Sequence, residues 1–117
     1  MQESSLDVIR GTLDVLILKT LSWGPLHGYA ISQIIQQQTD DALLVEEGAL
    51  YPALYRMEAK LWIASEWGLS ENNRRARYYR LTAAGRKRLL AETKTWERYA
   101  EAVAKILGAT SRPQLES

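Results

Sequence analysis

The chain has no cysteine, a single histidine at His27, and no apolar run longer than the four residues Val15 to Leu18. Without cysteine there is neither a disulfide framework nor a thiolate metal site, which suits a reducing cytoplasm. A run that short falls far below the ~20 residues of a membrane span. The N-terminus also lacks the basic start and long apolar stretch of an export signal, so a soluble, cytoplasmic protein with no membrane partner is expected. One histidine, no G-x-S-x-G elbow and no phosphate-cradling glycine loop leave no catalytic set, and an enzyme is not expected. Asp40–Asp41 and Glu46–Glu47 are read as complements to a helix dipole rather than metal ligands, and His27 as a turn or helix-capping residue. Neither cofactor nor metal is expected.

Net charge is also scarce. At +1 over 117 residues it argues weakly against a nucleic-acid binder until the charge is located. Residues 1–46 carry two basic and six acidic groups, residues 47–90 nine basic and four acidic, and the remainder four of each. The basic charge therefore collects in one block. With 46% hydrophobic residues the chain can bury one small core, and a second full domain does not fit.

Along the chain, residues 1–6 look loosely held and Gly11 blurs the start of a first helix. From Thr12 to Leu21 apolar residues fall at 13, 15, 16, 17, 18 and 21, nearly the whole helix circumference. A helix apolar all round needs burial on more than one side. Trp23–Gly24–Pro25 ends it. Leu26–His27–Gly28 leads into a second helix, Tyr29 to Gln37, with Ile31, Ile34 and Ile35 inward. A polar connection and the apolar patch Leu43–Leu44–Val45 precede a third.

That third helix carries most of the information. It is expected from about Gly48 to Lys60, its regular part starting nearer Tyr51 because Pro52 lacks an N–H and suits a first turn. Leu50, Leu54, Met57 and Leu61 form its buried stripe, and Tyr51, Tyr55 and Arg56 its exposed face. Ile63 to Trp67 and Ala76 to Leu81 read as antiparallel strands. The polar, turn-rich Gly68 to Arg75 is their tip. A helix showing tyrosine and arginine, followed by an arginine-tipped hairpin, is the outline of a winged-helix DNA reader.

Thr82 caps a last helix that runs to about Leu107 and stops at Gly108. At 1.5 Å per residue it is about 37 Å long, more than the small domain can cover. Leu89, Thr93, Trp96, Ala100, Val103 and Leu107 recur at spacings of four and three, a coiled-coil-like seam. This seam and the outer side of the first helix both lack a partner within one chain. A homodimer satisfies both. The fold class is therefore mainly α with a small β-hairpin, a winged helix-turn-helix plus a long C-terminal dimerisation helix. Residues 1–81 are expected to form the DNA-binding domain, 82–108 the dimerisation helix and 109–117 a disordered tail.

Four segments carry a family resemblance: Gly11–Thr12–Leu13–Asp14–Val15–Leu16–Ile17–Leu18, His27–Gly28–Tyr29, Gly48–Ala49–Leu50–Tyr51–Pro52–Ala53–Leu54 and Arg74 through Gly85. In this order they resemble the PadR family of bacterial transcriptional regulators, in its small subfamily with a single C-terminal helix. Ala49 stands where many members carry Ser or Thr, so a hydroxyl contact is not carried over there. The resemblance implies a dimeric repressor whose two winged helices bind double-stranded DNA at an inverted repeat. It also implies that a small aromatic or drug-like effector can release the DNA.

DNA binding needs phosphate neutralisation for affinity and base-edge contacts for sequence choice. Arg74, Arg75 and Arg77 suit the first role, against the alternative of a solvated hairpin tip. Ala49, Tyr51, Pro52, Tyr55 and Arg56 are the candidates near bases or backbone, against the alternative that one tyrosine packs on the wing or first helix. Trp96 either fills a dimer seam, the preferred reading, or pairs with its mate around a flat ligand. Tyr99, Val103 and Val15 or Leu18 share that space. The rival function is a winged helix used for protein–protein contact, its basic face meeting an acidic partner.

Overall fold

The computed structural model describes residues 6–7 and 12–115. The expectations for residues 1–5 and Gly11 lie outside these. Three helices build the core: α1 (Leu13–Leu21), α2 (Gly28–Gln38) and α3 (Glu47–Ala59). Ile17, Leu18 and Leu21 of α1, Ile31 and Ile35 of α2, and Leu50, Leu54 and Met57 of α3 meet in one buried cluster. The α2 N-terminus is capped by His27, whose Nδ1 accepts from the Ala30 N–H at 3.2 Å, supplying an acceptor for a donor the helix leaves unpaired. The capping role expected of the lone histidine is what the structure shows.

The α3 helix starts four residues before Tyr51, at Glu47. Pro52 thus sits in the second turn, where its missing N–H leaves the Gly48 carbonyl to solvent; both residues are exposed. Leu61 is a second correction. It was expected in the buried stripe, yet it is 71% exposed. The helix closes at Lys60, and Leu61 takes a left-handed φ of 64° that throws its side chain outward. Ala53, not Leu61, completes the stripe.

The wing is longer than its alternation suggested. Strands β4 (Ile63–Leu69) and β5 (Arg75–Leu81) pair antiparallel from Ile63 opposite Leu81 out to Leu69 opposite Arg75. A third strand, β2 (Leu26–His27), pairs with Tyr79 and Tyr78 on the free edge of β5. Two residues are too few to show a period, so β2 was read only as a lead into α2. The pair β1 (Leu6–Asp7) and β3 (Leu43–Leu44) makes a separate parallel contact. At the far end of the wing the Ser70 N–H donates to the Arg74 carbonyl at 2.8 Å, and Asn73 turns the chain at φ 57°.

The last helix, α4 (Ala83–Leu107), leaves the base of the wing. The Thr82 hydroxyl accepts from the Gly85 N–H at 3.0 Å and donates to the Leu61 carbonyl at 2.6 Å. Gly85 is the one buried residue described in α4. A Cβ there would lie 2.0 Å from the Trp62 carbonyl oxygen, so α4 can approach the wing base only through glycine. Beyond it, Leu90, Trp96, Tyr99, Ile106 and Leu107 are exposed. Residues 109–115 are exposed and carry no helix or strand.

Gly85→Ala is therefore expected to cost about 3 kcal/mol, at the top of the usual overpacking range, because the clash is with backbone. Gly48→Ala, with nothing within 4 Å of its Cβ, is expected to gain about 0.5 kcal/mol from helix propensity. Denaturant melts of the two variants check the contrast.

Candidate nucleic-acid interface

The buried stripe of α3 fixes the helix's rotation, and the opposite face is left to solvent. Gly48, Ala49, Tyr51, Pro52, Tyr55 and Arg56 are all exposed. Tyr55 is 78% exposed, against 45% for Tyr51. Tyr51 is held more closely. A Cβ on Gly28 would come within 2.8 Å of its hydroxyl, so its ring lies across the first residue of α2, and a larger residue there would displace it.

The wing stands beside this face. A cleft of about 710 Å³ opens between the start of α2 and the hairpin, with Tyr51, Arg74, Arg75 and Arg77 among its walls. Four of the expected contact residues are thus brought to one place. Ala49, Pro52 and Tyr55 lie outside the cleft on the exposed face of α3, and Arg56 lies on its other flank.

The basic residues are held in different ways. Arg56 is ion-paired to Asp14 of α1. Arg77 donates from Nε to Ser65 Oγ at 2.7 Å and from Nη2 to Glu58 Oε2 at 3.1 Å, while Ser65 donates to Glu58 at 2.6 Å. This network ties α3 to both wing strands. Arg75 has no carboxylate partner among the described residues. Its guanidinium lies 4.5 Å from the centre of the Trp67 ring. Exposed ion pairs of this kind are worth ~1 kcal/mol or less in stability, but each cancels a charge that phosphate would otherwise meet. Tyr79 forms the floor beside Arg77, where burial pushes its phenol above the ordinary value of 10.0 against the pull of the Arg77 charge. It stays neutral through the physiological range.

Sequence reasoning missed Trp67. Its signal was available: on the pleat it shares a face with Leu69, Arg75 and Arg77, but it was read only as the end of a strand.

The sequence profile of the transcriptional regulator PadR-like family matches residues 17–91. The chain belongs to the PadR-like family of transcriptional regulators. PadR regulators act by binding DNA and are not enzymes. Among solved structures, a transcriptional regulator from Clostridium thermocellum is similar at 36% identity and TM-score 0.76, over 83% of this chain and 94% of that one. A PadR family regulator from Eggerthella lenta is 32% identical at TM-score 0.71, over 87% and 86% of the two chains. An uncharacterised protein from Lysinibacillus sphaericus shares 33% identity over 97 residues, 83% of this chain and 89% of its own length. No described helix is long and apolar enough to cross a membrane.

The second candidate surface of this PadR regulator lies along α4. A groove of about 630 Å³ between α1 and α4 has Val15, Trp96, Tyr99 and Val103 among its walls. Leu18, offered as an alternative to Val15, is corrected: it is fully buried in the core and cannot face this groove. An evenly apolar helix hides its rotation from the sequence. The Trp96 and Tyr99 rings lie 6.1 Å apart and are tilted by 34°.

Arg75→Ala is expected to weaken every duplex and to flatten the slope of log K against log salt by about 0.9, the share of one phosphate. Arg56→Ala removes a charge already matched by Asp14, and its slope change is expected to be markedly smaller. A salt titration of DNA affinity that gave the two variants equal slopes would contradict this division.

Proposed function

We propose that the protein is a cytoplasmic homodimeric repressor that reads an inverted-repeat operator with α3 and the wing of each subunit. Residues 1–81 read the DNA and residues 82–108 pair the chains. The observation that carries the reading is the shared cleft, where Tyr51 of α3 faces Arg74, Arg75 and Arg77 of the wing. In this reading Ala49, Tyr51, Pro52 and Tyr55 approach bases and sugar–phosphate backbone, and Arg74 and Arg75 meet phosphate. Arg56 and Arg77 contribute from within their ion pairs, less per residue.

The dimer is supported by the exposed apolar seam of α4. Trp96, Tyr99, Val103 and Leu107 flank the α1–α4 groove, and a helix this long with one buried residue gains its stability from a partner rather than from propensity. Pairing through α4 sets the separation of the two reading helices, and B-DNA offers like half-sites about 34 Å apart. A flat aromatic effector at the Trp96 groove would act only by favouring one separation over another, since equal affinity for both states shifts nothing.

Fluorescence anisotropy with DNA from upstream of the gene, beside a scrambled duplex at ~150 mM salt, tests the function. Selective binding to the upstream duplex is expected, whereas binding to neither favours the protein-contact reading. Trp96→Ala is expected to weaken the dimer by roughly 2 kcal/mol, as for a central aromatic anchor, and sedimentation of an intact dimer would remove Trp96 from the seam.

A further inference from the structure

Two arginines stand on the inner face of the wing, and the structure holds them by opposite means. Arg77 lies opposite Trp67 in the ladder and is turned toward Glu58 and Ser65, which take up its donors. Arg75 lies opposite Leu69 and reaches diagonally to Trp67, with its guanidinium carbon 4.5 Å from the ring centre. That is within cation–π range. The ring orders the side chain but takes neither its charge nor its in-plane N–H donors.

Trp67 itself is not part of the buried core. Ile63, four residues inward on the same face of β4, is 1% exposed and belongs to the core, whereas Trp67 is 58% exposed and stands at the wall of the cleft. Leu69 next to it is also exposed, at 65%. The nearby carboxylates do not compete for Arg75. Glu58 is engaged by Arg77, Glu66 points to the other face of the strand, and Glu71, on the cleft wall at the wing tip, makes no ion pair with Arg75. An indole in this place keeps Arg75 ordered and charged in a cleft where Arg74 stands beside it and Arg77 is ion-paired to Glu58.

We propose that Trp67 is a positioning residue for DNA binding, holding the Arg75 guanidinium ready for a backbone phosphate at the wing. The inference rests on the DNA-binding function proposed above. Pre-ordering one rotamer-rich side chain is worth roughly two- to tenfold in affinity, and the effect runs through Arg75 alone.

A double-mutant cycle tests it, read by anisotropy with the upstream duplex. Trp67→Ala is expected to weaken binding about three- to tenfold, and Trp67→Tyr, which keeps an aromatic face, to restore most of the loss. In an Arg75→Ala background, Trp67→Ala is expected to add nothing. Thermal melts confirm that each variant is folded, and Trp67→Tyr keeps the test readable if the alanine variant is not. Losses that multiply in the double variant, or wild-type affinity in Trp67→Ala, would overturn the positioning role alone. A wild-type protein that bound no duplex at any salt would overturn the DNA reading and this inference together.

Discussion

Everything proposed for the reading surface depends on the rotation of α3 about its own axis. Leu50, Ala53, Leu54 and Met57 are each 2% exposed or less, and a stripe so completely buried admits one rotation of the helix. Turning α3 by a single residue position, about 100°, would bury Tyr51 or Tyr55 and drag a core leucine into water, at roughly 2 kcal/mol per side chain. The outward direction of Ala49, Tyr51, Pro52 and Tyr55 is therefore a consequence of the core.

Two polar struts brace the placement of α3 that the shared core sets. Asp14 to Arg56 ties the outer face of α3 to α1, and Glu58 with Ser65 and Arg77 ties its end to the wing. Gly85 against the Trp62 carbonyl then fixes where α4 departs. Two of the basic residues that mark the block 47–90 are thus spent on geometry. Within the cleft the charge left for a phosphate backbone is smaller than a count of its arginines suggests, and it rests on Arg74 and Arg75. The proposed interface combines a placed helix with a short, charged tip, an arrangement suited to orienting a protein on DNA before base edges are read.

Much of this was legible before any coordinates. Thr82 as a cap, His27 as a cap, the wing, and the long helix with its exposed seam all follow from residue types whose physical role is local. Val15, Trp96, Tyr99 and Val103 do line one groove. The failures share a cause. Leu61 leaves the stripe because one left-handed residue ends the helix, and a leucine gives no sign of that. Leu18 goes inward because an evenly apolar helix carries no directional signal. Strand β2 is too short to have a period, and its pairing with β5 is a tertiary fact. Whether Arg56 and Arg77 are free or paired depends on Asp14 and Glu58, one 42 residues away and the other 19, so no local pattern could reveal it.

The central claim is that the outer face of α3 and the tip of the wing together form the DNA-binding surface. Amide hydrogen exchange, followed with and without the upstream duplex, tests it most directly. The account predicts that DNA slows exchange in residues 48–56 and 69–77, while the exposed seam at residues 96–107 changes little. Protection confined to α4, or spread over the acidic first half with none at α3 and the wing, would contradict it.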